Sequence, residues 1–81
     1  MYYVYVLKSR GADWRYVGFT SDLQERLRDH NRGKVDSTRN YRPFQVASYI
    51  AVENRELALS LERYFKSGSG IAWMNKRLLS Q

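Results

Sequence analysis

The chain has 81 residues, no cysteine and no run of about 20 apolar residues, which excludes disulfides, thiolate metal centres and membrane-spanning helices. Fourteen basic against eight acidic residues leave a net charge of +6, a large surplus for so small a chain. That surplus favours polyanionic partners, nucleic acid first, although it also serves plain solubility. Aromatic residues reach 15%, with seven tyrosines, enough to build a core and leave polar handles or stacking faces over.

The start, "MYYVYVLKS", lacks the basic opening and small-residue cleavage site of a signal peptide, so a cytoplasmic chain is expected. It reads as a strand from residue 2. Tyr3, Tyr5 and Leu7 share one face and Tyr2, Val4 and Val6 the other. Both faces are apolar, as in a central strand covered on both sides. After the turn "RGAD" comes a second strand, "WRYVGFT", the expected hairpin partner. Gly18 within it indicates either a bulge or a close backbone approach.

"SDLQ" opens a helix over Asp22 to Asn31, with Ser21 as cap and Gln24 completing a capping box. "GKVDSTRNYRP" is a polar, basic loop, and "FQVASYIAVE" after Pro43 is a third strand. Asn54 caps a second helix over Arg55 to Lys66, ended by Gly68, and "GIAWMNKRLL" makes a short third helix. The order β-β-α-β-α-α without repeat or linker implies one domain over residues 1–81. Its class is α+β: a small three-stranded, mostly antiparallel sheet flanked by helices.

Two helices carry ionisable side chains where apolar ones are expected. In "LQERLRDHN", Arg26 and His30 fall within the same arc of about 100° as Leu23 and Leu27. In the second helix Glu62 lies within about 40° of Ala58, beside Leu61 and Phe65. A carboxylate there is paired, hydrated or bound to a cation, because a lone buried charge costs several kcal/mol. Arg26 and Glu62 either pair with each other between helices or converge with His30 and the hydroxyls of Tyr3, Tyr5 and Tyr16 on a site. Such a set suits phosphodiester cleavage. One hard cation on Glu62 polarises the phosphate, Arg26 grips it by its planar fork, and a tyrosine or His30 orients or deprotonates water. Zinc is disfavoured by a single histidine and no cysteine.

These residues, in this order, resemble the GIY-YIG nuclease superfamily, and the short stand-alone bacterial members in particular. "YVY" (Tyr3-Val4-Tyr5) stands in the place of the first tripeptide and "YVG" (Tyr16-Val17-Gly18) in that of the second. "LQERLRDHN" matches the family's Arg-then-His helix and "ALSLERYFK" its metal-binding glutamate helix. The resemblance implies that Tyr5, Tyr16 or both position or deprotonate the attacking water. It implies that Arg26 steadies the phosphate, His30 assists proton transfer, and Glu62 holds a single Mg²⁺ or Mn²⁺. Gly18 would permit tight packing beside the site. The sequence departs from the family where Tyr3 replaces the first glycine and valine replaces isoleucine in both tripeptides. Asn75 is the nearest candidate for a late asparagine used by many members near metal or phosphate; its other reading is a surface helix residue.

Arg28, Arg32, Lys34, Arg39 and Arg42 cluster in the first helix and its following loop, with Lys66, Lys76 and Arg77 further on. As phosphate contacts they would give salt-sensitive, sequence-tolerant binding; Arg28 and Arg32 also suit an ordinary solvated face. Tyr41 and Trp73 offer rings on which bases can stack, Trp73 serving equally to pack the third helix on the core. The expected function is a metal-dependent endonuclease on DNA, in single-stranded, branched or damaged forms, with a setting in DNA repair. A nucleic-acid-binding module with weak or no catalysis, or a subunit that needs a protein partner for target recognition, is the competing expectation.

Overall fold

A computed structural model describes residues 1–79. Three antiparallel strands, β1 (Tyr2–Ser9), β2 (Arg15–Thr20) and β3 (Phe44–Val52), form a sheet in the order β2-β1-β3. Helices α1 (Leu23–Asn31), α2 (Arg55–Phe65) and α3 (Gly68–Arg77) complete the fold, with one 3₁₀ turn at Arg39–Tyr41. The first strand of the chain is thus the middle strand of the sheet. Val4, Tyr5, Val6 and Leu7 are all at or below 2% exposure, as two-sided coverage demands.

The two faces hold different cores. Val4 and Val6, with Val17, Phe19 and Ile50, pack against Ala58, Leu61 and Phe65 of α2 and Met74 of α3. Tyr5 and Leu7, with Trp14, Tyr16 and Val46, pack with Phe44 and with Leu23 and Leu27 of α1. The period-2 alternation of β1 is therefore what sends its tyrosine to the α1 side. The bulge lies in β3, between the pairs Val6↔Ser48 and Leu7↔Val46, not at Gly18, which pairs regularly with Tyr5.

Two helix boundaries differ from expectation. Asp22, not Ser21, is the N-cap of α1: its carboxylate accepts from the Glu25 amide at 3.1 Å. Thr20 Oγ1 accepts from the Asp22 amide at 3.1 Å and so orients that cap. Gly68 does not end α2 but opens α3. Lys66 closes α2, and Ser67 in extended backbone caps α3, its hydroxyl accepting from the Gly70 amide at 3.1 Å and donating to the Tyr64 carbonyl at 2.6 Å. Gly70 allows this abrupt junction, since any Cβ there would collide with the Tyr64 carbonyl oxygen. Asn54 caps α2 as expected, accepting from the Leu57 amide at 3.1 Å.

The end of α1 is bolted to β3. Asn31 Oδ1 accepts from the Phe44 amide at 2.6 Å, and its Nδ2 donates to the Phe44 carbonyl at 3.2 Å. This double bond sets the last turn of α1, and with it His30, over the sheet. No helix among the described residues is long and apolar enough to cross a membrane.

Candidate active site

The centre of the α1 face is a buried hydrogen-bonded chain of three side chains. Tyr5 Oη lies 3.0 Å from His30 Nε2, and His30 Nδ1 lies 2.8 Å from Thr38 Oγ1. Tyr5 is 1% exposed, while His30 and Thr38 are fully buried. The donors follow from the ends of the chain. Thr38 directs its hydroxyl to the Val35 carbonyl at 3.3 Å, so it accepts from His30 Nδ1–H. His30 Nε2 then carries the lone pair and accepts the Tyr5 hydroxyl proton. Arg26, one turn before His30 on α1, acts on the Tyr5 hydroxyl with its positive charge. No buried side-chain polar atom among the described residues lacks a partner.

Burial controls the charge states. It pushes the Tyr5 phenol up to about 12, with Arg26 pulling the other way. It also holds the His30 imidazole down to about 4, with the Arg26 charge as the second cause. At neutral pH both are uncharged and Arg26 is a cation. The imidazole is walled by the rings of Tyr16 at 5.1 Å, Tyr5 at 5.9 Å and Phe44 at 6.0 Å.

Gly18 makes room for this. A Cβ at Gly18 would stand 2.5 Å from Tyr5 Oη, 2.7 Å from Tyr5 Cζ and 3.0 Å from Tyr16 Cε2. Of the two readings of this glycine, close approach is the one realised. Because β2 is an edge strand, side chains from the far face reach round it: Lys66 Nζ of α2 lies 5.7 Å from the Tyr16 ring centre. Glu62, one turn earlier, pairs with Lys66 at 3.2 Å, keeps 18% side-chain exposure, and its charge is felt at Tyr5. The ion pair between Arg26 and Glu62 that the helix faces allowed is not the arrangement adopted: Arg26 serves Tyr5 and Glu62 serves Lys66.

The family model for the GIY-YIG catalytic domain matches residues 1–75. The chain belongs to the GIY-YIG family. It is 38% identical over 65 residues to a UPF0213 protein of Streptococcus pyogenes serotype M5, spanning 79% of this chain and 70% of that one. It is 34% identical over 67 residues to a UPF0213 protein of Haloquadratum walsbyi, spanning 82% and 74%. No solved structure gave a significant match. GIY-YIG domains are of nuclease type, act on nucleic acid and typically depend on a divalent metal.

In this GIY-YIG domain, Tyr5, Tyr16, Arg26 and His30 meet on the α1 face, and Glu62 approaches round the β2 edge. Tyr3 stands apart, edge-on to Tyr49 at 5.9 Å beside the start of α1. Asn75 is exposed on α3, where its Oδ1 accepts from Arg15 at 2.7 Å. It lines a cleft of about 540 Å³ that adjoins the site at Tyr16 and Lys66. Three of the basic candidates have acidic neighbours: Arg28 with Glu25 at 2.6 Å, Lys34 with Asp29 at 3.8 Å, and Arg39 with Asp36. Arg32 and Arg42 are exposed. Trp73 packs on Phe65 with ring centres 5.9 Å apart.

The donors test the metal expectation. Among the described residues no three His, Cys, Asp or Glu side chains cluster, which does not suit zinc. A single, partly exposed Glu62 carboxylate suits a hard cation that keeps most of its waters, as Mg²⁺ and Mn²⁺ sites do.

Two members of this constellation carry little sequence signal. Thr38 sits in a polar loop where no periodicity separates a buried hydroxyl from a solvated one. Lys66 stands in the sequence as one of several basic residues, and only its i,i+4 spacing from Glu62 hints at the ion pair.

Proposed function

We propose that this domain hydrolyses phosphodiester bonds in DNA with the help of one divalent cation, Mg²⁺ or Mn²⁺, on Glu62. The buried Tyr5–His30–Thr38 chain, capped by Arg26, is the observation that carries this reading. A purely structural histidine needs no cation beside it, and a structural tyrosine needs no glycine opened over its hydroxyl.

The geometry supports the following roles. Arg26, whose charge acts on Tyr5, binds a phosphate oxygen by its planar fork. A water beside Tyr5 attacks phosphorus as the Tyr5 oxygen takes its proton and the Tyr5 hydroxyl proton passes to His30 Nε2. Thr38 keeps Nδ1–H occupied throughout, so Nε2 stays the accepting atom. The phosphate anion neutralises Arg26, the second cause that holds His30 down, and so raises the proton affinity of His30 when substrate is present. Tyr16, against the other side of the imidazole, orients the water or the leaving oxygen. A cation held by Glu62 would polarise the phosphate and acidify a bound water.

Cleavage of labelled single-stranded, duplex and branched DNA at low salt, with Mg²⁺, Mn²⁺ or chelator, tests this. Metal-dependent cutting by the wild type should fall at least about a hundredfold in Arg26→Ala and in Glu62→Gln. Cutting that survives both substitutions would refute the assignment. Salt-sensitive binding without cutting by any form would favour the binding-module reading, which the +6 charge supports.

A further inference from the structure

A ladder of aromatic rings leads out of the site. Tyr16 faces His30; Trp14 stands next to Tyr16 at 6.4 Å with planes 23° apart; Tyr41 lies flat on Trp14 at 4.0 Å and 9°. Tyr41 keeps 38% exposure although one of its faces is covered. The ring is held in place through its backbone. Ser9, 3% exposed, donates its hydroxyl to the Tyr41 carbonyl at 2.6 Å, and the Tyr41 amide donates to the Thr38 carbonyl at 3.0 Å. The Arg10 amide donates to the Pro43 carbonyl at 2.9 Å, which places the β1–β2 turn beside the same loop. Exposed Arg10 thus belongs to a turn tied to the same loop as Tyr41, exposed Arg42 follows Tyr41 in sequence with its guanidinium over Gly33, and the Asp36 carboxylate is occupied by Arg39.

We infer that the outer face of Tyr41 is a stacking platform for an unpaired nucleobase near the scissile phosphate, so that the preferred substrate is single-stranded or locally unpaired. This rests on the proposed function, which puts a phosphodiester at Tyr5, Tyr16 and Arg26. A flat, preordered ring with one open face offers stacking to any base but gives no hydrogen-bond code, which is how sequence-tolerant single-strand binders work. The exposed arginines of the two adjoining loops, Arg10 and Arg42, suit the phosphates of a strand that runs past a stacked base. Within a duplex the base faces are already covered by neighbours, so the platform adds nothing there. A protein partner is the other occupant such a ring could take; the exposed arginines of the adjoining loops and its continuity with the phosphodiester site favour nucleic acid.

The test is binding in chelator, by fluorescence anisotropy, of a single-stranded oligonucleotide and the same sequence as duplex. Tyr41→Ala should weaken the single strand about tenfold, leave the duplex within about twofold, and be rescued by Tyr41→Phe. Equal losses on both forms, or none on either, would overturn the inference, the second result pointing to a protein contact. Because Tyr41→Ala also uncovers Trp14, a second measurement uses the wild type: 2-aminopurine is walked along the single strand. Quenching confined to one or two positions supports the platform; uniform or absent quenching overturns it. Cleavage is scored separately, so a protein that binds and quenches but never cuts would defeat the nuclease proposal and leave the platform standing.

Discussion

Gly18→Ala puts the architecture of the site to a test of sign. At an unstrained strand position, replacing glycine by alanine stabilises by about 0.4–1 kcal/mol, by restricting the unfolded chain. Gly18 is not in the left-handed region, so the backbone raises no objection. The obstacle is the neighbour. The new methyl would sit 2.5 Å from Tyr5 Oη and 2.7 Å from Cζ, about 1 Å inside ordinary contact. Tyr5 cannot swing aside cheaply, because it is 1% exposed and its hydroxyl is held by His30 at 3.0 Å. Either the ring moves and that bond breaks, or β2 draws away from β1. Overpacking costs about 1–3 kcal/mol and a broken buried hydrogen bond a similar amount. The two overlap, since relief of one creates the other. A net loss of about 2–3 kcal/mol is expected, which lowers Tm by roughly 10–20 °C in a domain of this size. Circular-dichroism melts and urea midpoints measure it directly. A Gly18→Ala protein that melts at or above the wild-type temperature would refute the close-approach argument and with it the placement of Tyr5.

Thr38→Val removes the acceptor for His30 Nδ1–H while keeping the volume, and should destabilise by about 1–3 kcal/mol; Thr38→Ser, which keeps the oxygen, should cost about 1 kcal/mol or less. Imidazole ¹⁵N shifts should show the Nδ1–H tautomer in wild type and Thr38→Ser and its loss in Thr38→Val; identical tautomers in all three would count against the proposed relay. For His30, the folded state holds the proton affinity down to about 4, whereas the unfolded chain titrates near 6.5. Its contribution is therefore fully present above pH 6.5 and is lost as pH falls towards 4, by up to about 3 kcal/mol; the slope should vanish in His30→Gln, and a slope that persists would assign it to carboxylates instead. Tyr5, raised to about 12 from 10.0, acts at the other extreme, its contribution draining away as pH climbs above 10.

The parts of this molecule that follow a rigid period were legible before the structure. Alternation placed Tyr3, Tyr5 and Leu7 together and opposite Val4 and Val6, and the 3.6-residue period turned Arg26 and His30 towards Leu23 and Leu27. Parts decided by a contest between neighbours were not. Ser21 with Gln24 and Asp22 with Glu25 offer capping pairs one residue apart, and the Thr20 hydroxyl, a strand residue, chooses between them. In "KSGSG" the glycines look like a stop signal, yet Ser67 both ends one helix and starts the next because Gly70 lets them touch. Thr38 was invisible for a different reason: its burial depends on a loop folding back over α1, which no local pattern encodes. Glu62, read as a carboxylate beside the apolar stripe that must be paired, hydrated or bound to a cation, keeps 18% side-chain exposure and pairs with Lys66 at 3.2 Å.

The central position of β1 also shapes how the molecule comes into being. It is the first of the sheet's three strands to be synthesised, and its hairpin with β2 can close early over a short turn. Its other edge must wait for β3, whose last residue, Val52, pairs with Tyr2 across a long intervening chain. Until then an eight-residue strand, rich in tyrosine and valine, presents a bare row of amides and carbonyls to any other growing chain. The tyrosines that build the site thus stand in the segment most prone to self-association during synthesis. Slow translation between Ser9 and Phe44, or truncation before Phe44, should show up as insoluble protein rather than as a soluble fragment.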